Sequence, residues 1–203
     1  MNIRLKYETS FLAAVHFNQQ FLIGSYSVTL SMLTNTVDPY EQNIAFNRLR
    51  YMIEEVFYNT IFINQEDTKQ CKLYINAGCK ISNLPEDPLD QIIGIMLYSK
   101  LSAVMEDKMF ITNLDLSSDL GDSVVYSHSI DEARGPFVQP GWWNDAAPTY
   151  CDKKFYAKRK EDRIVELKNN NSWHGLDLLF ESDPAADSTE STVLYADFTK
   201  DEH

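Results

Sequence analysis

The side chains that could do chemistry are few and scattered. His16 stands among Phe11, Leu12, Val15 and Phe17, His128 lies near the end of the apolar-patterned region, and His174 sits in a polar turn. Imidazole binds metals and moves protons near neutral pH, but a catalytic zinc takes three protein ligands and keeps a fourth position open. A lone histidine in an apolar run reads instead as a partly buried structural residue. A composite site of His16, His128 and a carboxylate would exist only if folding gathered them, so no metal is expected. Asp115, Asp119 and Asp122 fall in or beside SSDLGDS, where Asp and Gly suit a hairpin tip, and their spacing is not that of a calcium loop. The three cysteines, Cys71, Cys79 and Cys151, are too few and too uneven for a disulfide framework, and they suggest a reduced, cytoplasmic chain.

Two further clusters bear on partners. Trp142 and Trp143 lie in a Pro- and Gly-rich stretch and read either as an aromatic lid on the core or as a partner-binding spot. Lys153, Lys154, Lys158, Arg159 and Lys160 enclose Phe155 and Tyr156, a mixture found in single-strand binders. The net charge of -12 argues against nucleic acid, so a solvated face or a dock for the chain's own acidic tail is the better reading. No P-loop, dinucleotide glycine pattern, nucleophile elbow or HExxH helix is present, and neither catalytic residues nor a cofactor is expected. No run approaches the roughly 18 apolar residues of a membrane span.

The elements that would position these groups centre on Asp38 to Asn64. Ile44, Phe46, Leu49, Ile53, Val56 and Phe57 recur at three- and four-residue steps, which predicts an amphipathic helix with Asp38 as N-cap and Pro39 in its first turn. Before it, residues 3–17 and 20–35 alternate as two long strands, with a bulge expected around Ser10 to Ala13 and either a bulge or a close backbone approach at Gly24. After it, Thr68 to Ala77 suggests a short helix ended by Gly78. A second main helix starts at the PEDP of 85–88, and two short strands joined at 119–122 complete the order. The expected class is α+β: a four-stranded antiparallel sheet with two main helices on one face, ββααββ, over residues 1–130. An irregular extension follows at 131–180, and an acidic, flexible tail at 181–203.

Several phrases resemble the tunnelling fold of the 6-pyruvoyl- and 6-carboxy-tetrahydropterin synthase family, over about residues 3–128. Ala13-Ala14-Val15-His16 stands where that family has Ala-x-His, and Ile23-Gly24-Ser25-Tyr26 stands for its His-Gly-His and aromatic residue. Ala45-Phe46-Asn47-Arg48-Leu49-Arg50 stands for the opening phrase of its first helix, Tyr58-Asn59-Thr60-Ile61-Phe62-Ile63-Asn64 for the phrase that follows that helix, and Pro88-Leu89-Asp90-Gln91 for the start of its second, in that order. The resemblance implies a zinc held by three imidazoles, a Cys activated by an Asp and His pair, and a late acidic residue anchoring a pterin or purine ring. Here Ile23 and Ser25 replace two ligands, Asn59 and Thr60 replace the Asp and His, no Cys lies near the hairpin, and Asp115 and Asp119 are the nearest acids.

Two functions therefore stand side by side. One is a non-catalytic homo-oligomeric binding or structural protein, joined through its sheet edges, with Trp142, Trp143, Lys153, Lys154, Lys158 and Arg159 offered to a protein partner. Its style is that of a tailed-phage accessory protein. The other is an enzyme or binder for a pterin- or purine-type heterocycle at an altered, zinc-free site made of His16, Asn59, Thr60, Asp115 and Asp119.

Overall fold

In the computed structural model the described residues are 4–148, except 123 and 133, together with 172, 173, 176 and 178. The basic cluster with Lys153, Lys154, Lys158 and Arg159, His174, Cys151 and the acidic tail lie outside them. Strands β1 (Arg4–Phe17) and β2 (Gln20–Thr34) form a long hairpin, and α1 (Pro39–Tyr51) runs into a π-helical segment, Met52–Phe57. Then come β3 (Ile61–Asn64), α2 (Thr68–Asn76), β4 (Ile81–Leu84), α3 (Asp90–Met105), β5 (Met109–Ser118) and β6 (Tyr126–Ser129).

The sheet has six strands in the order β4-β3-β1-β2-β5-β6, where four were expected. The antiparallel four are the ones read from sequence, β1, β2, β5 and β6. The other two, β3 and β4, run parallel to β1 and are linked through α2, so the sheet is mixed. They escaped the alternation test for a physical reason: Ile61 to Ile63 and all of β4 are buried on both faces, so polar and apolar residues do not alternate.

Period-two alternation sorts the hairpin cleanly. Phe11, Ala13 and Val15 of β1 and Tyr26, Val28, Leu30 and Met32 of β2 face the main core with α1 and α3. Ala14 faces the other way, into a smaller cluster with Ile61, Ile63, Ile81 and Cys71, so α2 covers one corner of the outer face. The β1–β2 register is unbroken from Arg4↔Leu33 to Phe17↔Gln20, so the bulge expected around Ser10 is absent; the irregularity lies between Ser31 and Met32 against β5.

Asp38 caps α1 by accepting the Tyr40 N–H at 3.0 Å, and Pro39 fills the first helical position. Gly78, at φ +82°, ends α2 in the left-handed region that glycine enters without strain. Of the two alternatives at Gly24, the register shows no bulge and the close approach is what forms: a Cβ there would stand 2.8 Å from Asp119 Oδ1 and from Leu120.

α3 is buried nearly all round, because it packs against the sheet, α1 and the segment 135–147. Lys100, fully buried on α3, donates to the carbonyls of Trp142, Asp145 and Ala147 at 3.1, 2.6 and 2.7 Å. These bonds strap the segment to the helix. No helix among the described residues is long and apolar enough to cross a membrane.

Candidate functional site around His16

The hairpin turns on two residues, Asn18 and Gln19, both at positive φ (50° and 63°), the left-handed pair of a tight two-residue turn. This fixes which side chains share a face beside it. His16 pairs with Phe21, Ala14 with Ile23 and Leu12 with Ser25, so His16, Ile23 and Ser25 all project from the outer face. The three share that face without meeting at one point, since Ser25 lies four residues, about 13 Å, along β2 from the partner of His16, and only His16 carries a ligating nitrogen. Isoleucine has no donor atom, and a neutral serine hydroxyl is a poor zinc ligand.

His16 is already engaged on both sides. Its Nδ1 is 2.9 Å from the Tyr74 hydroxyl and its Nε2 is 3.5 Å from Asp67 Oδ2. A ring proton on Nε2 facing the carboxylate leaves Nδ1 to accept from the phenol, so neither nitrogen offers a free lone pair. Burial, together with Cys79 and Asp67, pushes the Tyr74 phenol above its ordinary value. Beside the ring lies a polar cleft of about 230 Å³ lined by His16, Asn18, Asn64, Glu66, Asp67 and Asp87 among others. Among the described residues, no three of His, Cys, Asp and Glu come together closely enough to hold a metal ion. His16, on the outer face near the hairpin turn, and His128, which faces α3 from β6, are not brought together.

The remaining ring-ligand candidates divide between the hairpin end and elsewhere. Asn59 and Thr60 form the bend into β3: the Asn59 N–H donates to the Leu12 carbonyl at 2.8 Å, and the Thr60 carbonyl accepts from Ala14 at 2.9 Å. Asn59 sits at φ 57°, a left-handed position that asparagine tolerates, and Thr60 is fully buried with its hydroxyl 3.4 Å from that of Ser82. Asp119 lies on the far side of β2, where its Oδ1 accepts the Ser25 N–H at 2.8 Å. Asn59, Leu12, Ser25 and Asp119 thus form one row across the sheet, which at about 4.8 Å per strand spacing separates its ends by roughly 14 Å. Asp115 is remote from this row; it faces Thr29 across β2 and β5 and accepts from Ser127 and Asn113. The five residues therefore do not form one pocket in a single chain.

Sequence reasoning missed Asp67 and Tyr74, which hold His16. Both lie in the spacer around α2, and the one signal there was the N-cap position of Asp67, whose carboxylate accepts the Gln70 N–H at 3.3 Å. Cys71, on the same helix, is no nucleophile: burial, with Asp67 nearby, pushes its thiol up to about 11.

Trp142 and Trp143 are buried and act as anchors rather than as exposed partner contacts. The Trp142 indole donates to the Asn83 carbonyl at 2.9 Å, and that of Trp143 to Phe137 at 3.0 Å, so each ring brings its own polar group into the core satisfied.

No family model and no curated protein matches this chain. Among solved structures it is similar to an uncharacterized protein from Wolinella succinogenes at 9% identity and TM-score 0.48, over 64% of this chain and 99% of that one. It is likewise similar to two structures of Plasmodium vivax 6-pyruvoyltetrahydropterin synthase, one with a catalytic residue replaced. Each is at 13% identity and TM-score 0.42, with the same coverage.

Proposed function

We propose that this chain works as a homo-oligomeric binding or structural protein on a pterin-synthase-like scaffold, without that scaffold's chemistry; a tailed-phage accessory protein is one setting for such an assembly. The observation that carries the reading is the open edge of β1. Ala14 donates to Thr60 and Leu12 accepts from Asn59, so the backbone groups of the even-numbered residues point away from β2. By the same alternation those of Arg4, Lys6, Glu8 and Ser10 point off the sheet, where no strand among the described residues meets them. An uncovered edge of this length invites another strand. Its charges favour a second copy: antiparallel pairing of two chains about Tyr7 sets Lys6 of one opposite Glu8 of the other, an attractive cross-strand pair.

Lys6→Pro tests this directly. Proline there deletes an N–H that points outward while leaving the bonds of β1 to β2 intact. The unmodified chain is expected to be an oligomer and the variant a folded monomer; a variant that keeps the full assembly removes the edge from the argument. For the heterocycle reading, metal analysis of untagged protein and a binding screen of pterins and purines decide. Stoichiometric zinc or a tight ring ligand would end the non-catalytic account.

A further inference from the structure

Two unfavourable local features meet at the contact between β6 and α3. His128 lies on the inner face of β6, 7% exposed, and among the described residues its Nε2 has no hydrogen-bond partner. A buried polar atom left unpaired is destabilising. The ring is seated against Gly94, where a Cβ would stand 2.4 Å from Nε2. Glycine inside a helix is itself unfavourable, so α3 gives up helix propensity to make room for this imidazole. An apolar side chain opposite an alanine would pack the same surfaces without either feature. The strand so held is slight: β6 has four residues and, among the described residues, stands at the end of the sheet order and pairs with β5 alone, from Asn113↔Ser129 to Leu116↔Tyr126.

We infer that His128 is an acid-operated latch, whose protonation drives β6 away from α3 and opens the outer edge of β5. A neutral imidazole has one ring proton. On Nδ1 it faces Glu132 Oε2 at 3.8 Å, leaving Nε2 bare against Gly94. A second proton must go on Nε2, which has neither an acceptor nor room. The groups around the ring come from each neighbouring element. Glu132, in its own segment, and Asp115 of β5 carry carboxylates that favour the charged ring. From α3 the facing residues are Ile95 and the phenol of Tyr98, whose hydroxyl donates to the Ile111 carbonyl; Arg134, stacked 5.1 Å over the Tyr98 ring, completes the surroundings. Burial outweighs the two carboxylates and holds the folded ring below its ordinary 6.5. Once β6 leaves, the ring is solvated and titrates near 6.5, so the opening equilibrium grows as pH falls below that value, by up to about tenfold per pH unit.

Hydrogen exchange of the full chain between pH 7.5 and 5, expressed as protection factors so that intrinsic rates cancel, tests the latch. Protection of the β6 amides is expected to fall toward tenfold per unit below pH 6.5 while that of Val28 and Leu30 in the central hairpin holds, and His128→Leu should flatten the response. A flat profile in the unmodified chain, an equal fall in the hairpin, or an unchanged fall in His128→Leu overturns it. Should that variant fail to fold, NMR titration of the His128 ring in the unmodified chain decides. A ring midpoint coincident with the loss of β6 protection supports the latch, and separate midpoints refute it.

Discussion

Replacing Lys100 with methionine should loosen the strap that holds residues 142–147 on α3. The lysine ammonium meets three backbone carbonyls between 2.6 and 3.1 Å, and methionine keeps the apolar stem while deleting all three donors. A buried acceptor left bare costs about 1–3 kcal/mol, and the relief of no longer burying an ammonium offsets part of the sum, so a net loss of about 2–4 kcal/mol is expected. That is a large share of the stability of about 5–15 kcal/mol typical of a domain. The pH dependence has a definite sign. Burial lowers the folded Lys100 pKa from 10.5 to about 7, so between those values the unfolded chain binds more protons than the folded one, and stability rises with pH across that window. Urea unfolding followed by circular dichroism and tryptophan fluorescence at pH 7 and pH 9.5 reads both effects. Lys100→Met should be less stable at pH 7 and lose the rise toward pH 9.5. A variant within 0.5 kcal/mol of the unmodified chain, a threshold of about the size of ordinary surface substitutions, would refute the reasoning.

Two further changes probe the hairpin end. Gln19→Gly should stabilise the fold by about 0.5–1 kcal/mol, because Gln19 occupies φ 63° where glycine pays no steric penalty; thermal unfolding checks it, and a lower midpoint would contradict it. Tyr74→Phe removes the hydroxyl 2.9 Å from His16 Nδ1, which should cost about 1 kcal/mol and move the His16 ring-nitrogen resonances, whereas an unchanged spectrum would mean that the contact does not form in solution.

What could be read from residues alone follows a physical line. The amphipathic face of α1, its Asp38 cap and the alternation along β1, β2 and β5 report surfaces with one wet and one dry side, which a single sequence records well. The strands β3 and β4 have no wet side, so alternation marks neither Ile61 to Ile63 nor Ile81 to Leu84 as a strand, and the sheet has six strands where four are expected. The site was legible only as a set of absences. That Ile23 and Ser25 stand on the same face as His16 follows from the register, but the grip of Asp67 and Tyr74 on that ring depends on α2 folding back over the sheet. Nothing local in the sequence encodes such a contact. Lys100 was silent for the same reason: its three partners are backbone carbonyls more than forty residues away, and carbonyls leave no mark on side-chain pattern.

The central claim, that the bare edge of β1 finds its partner in a second copy, is tested most directly by light scattering of the unmodified full chain after size exclusion, over a range of protein concentrations. A molar mass at least twice 23.4 kDa and a whole multiple of it, stable on dilution, is the expected result. A mass of 23.4 kDa at every concentration would contradict it.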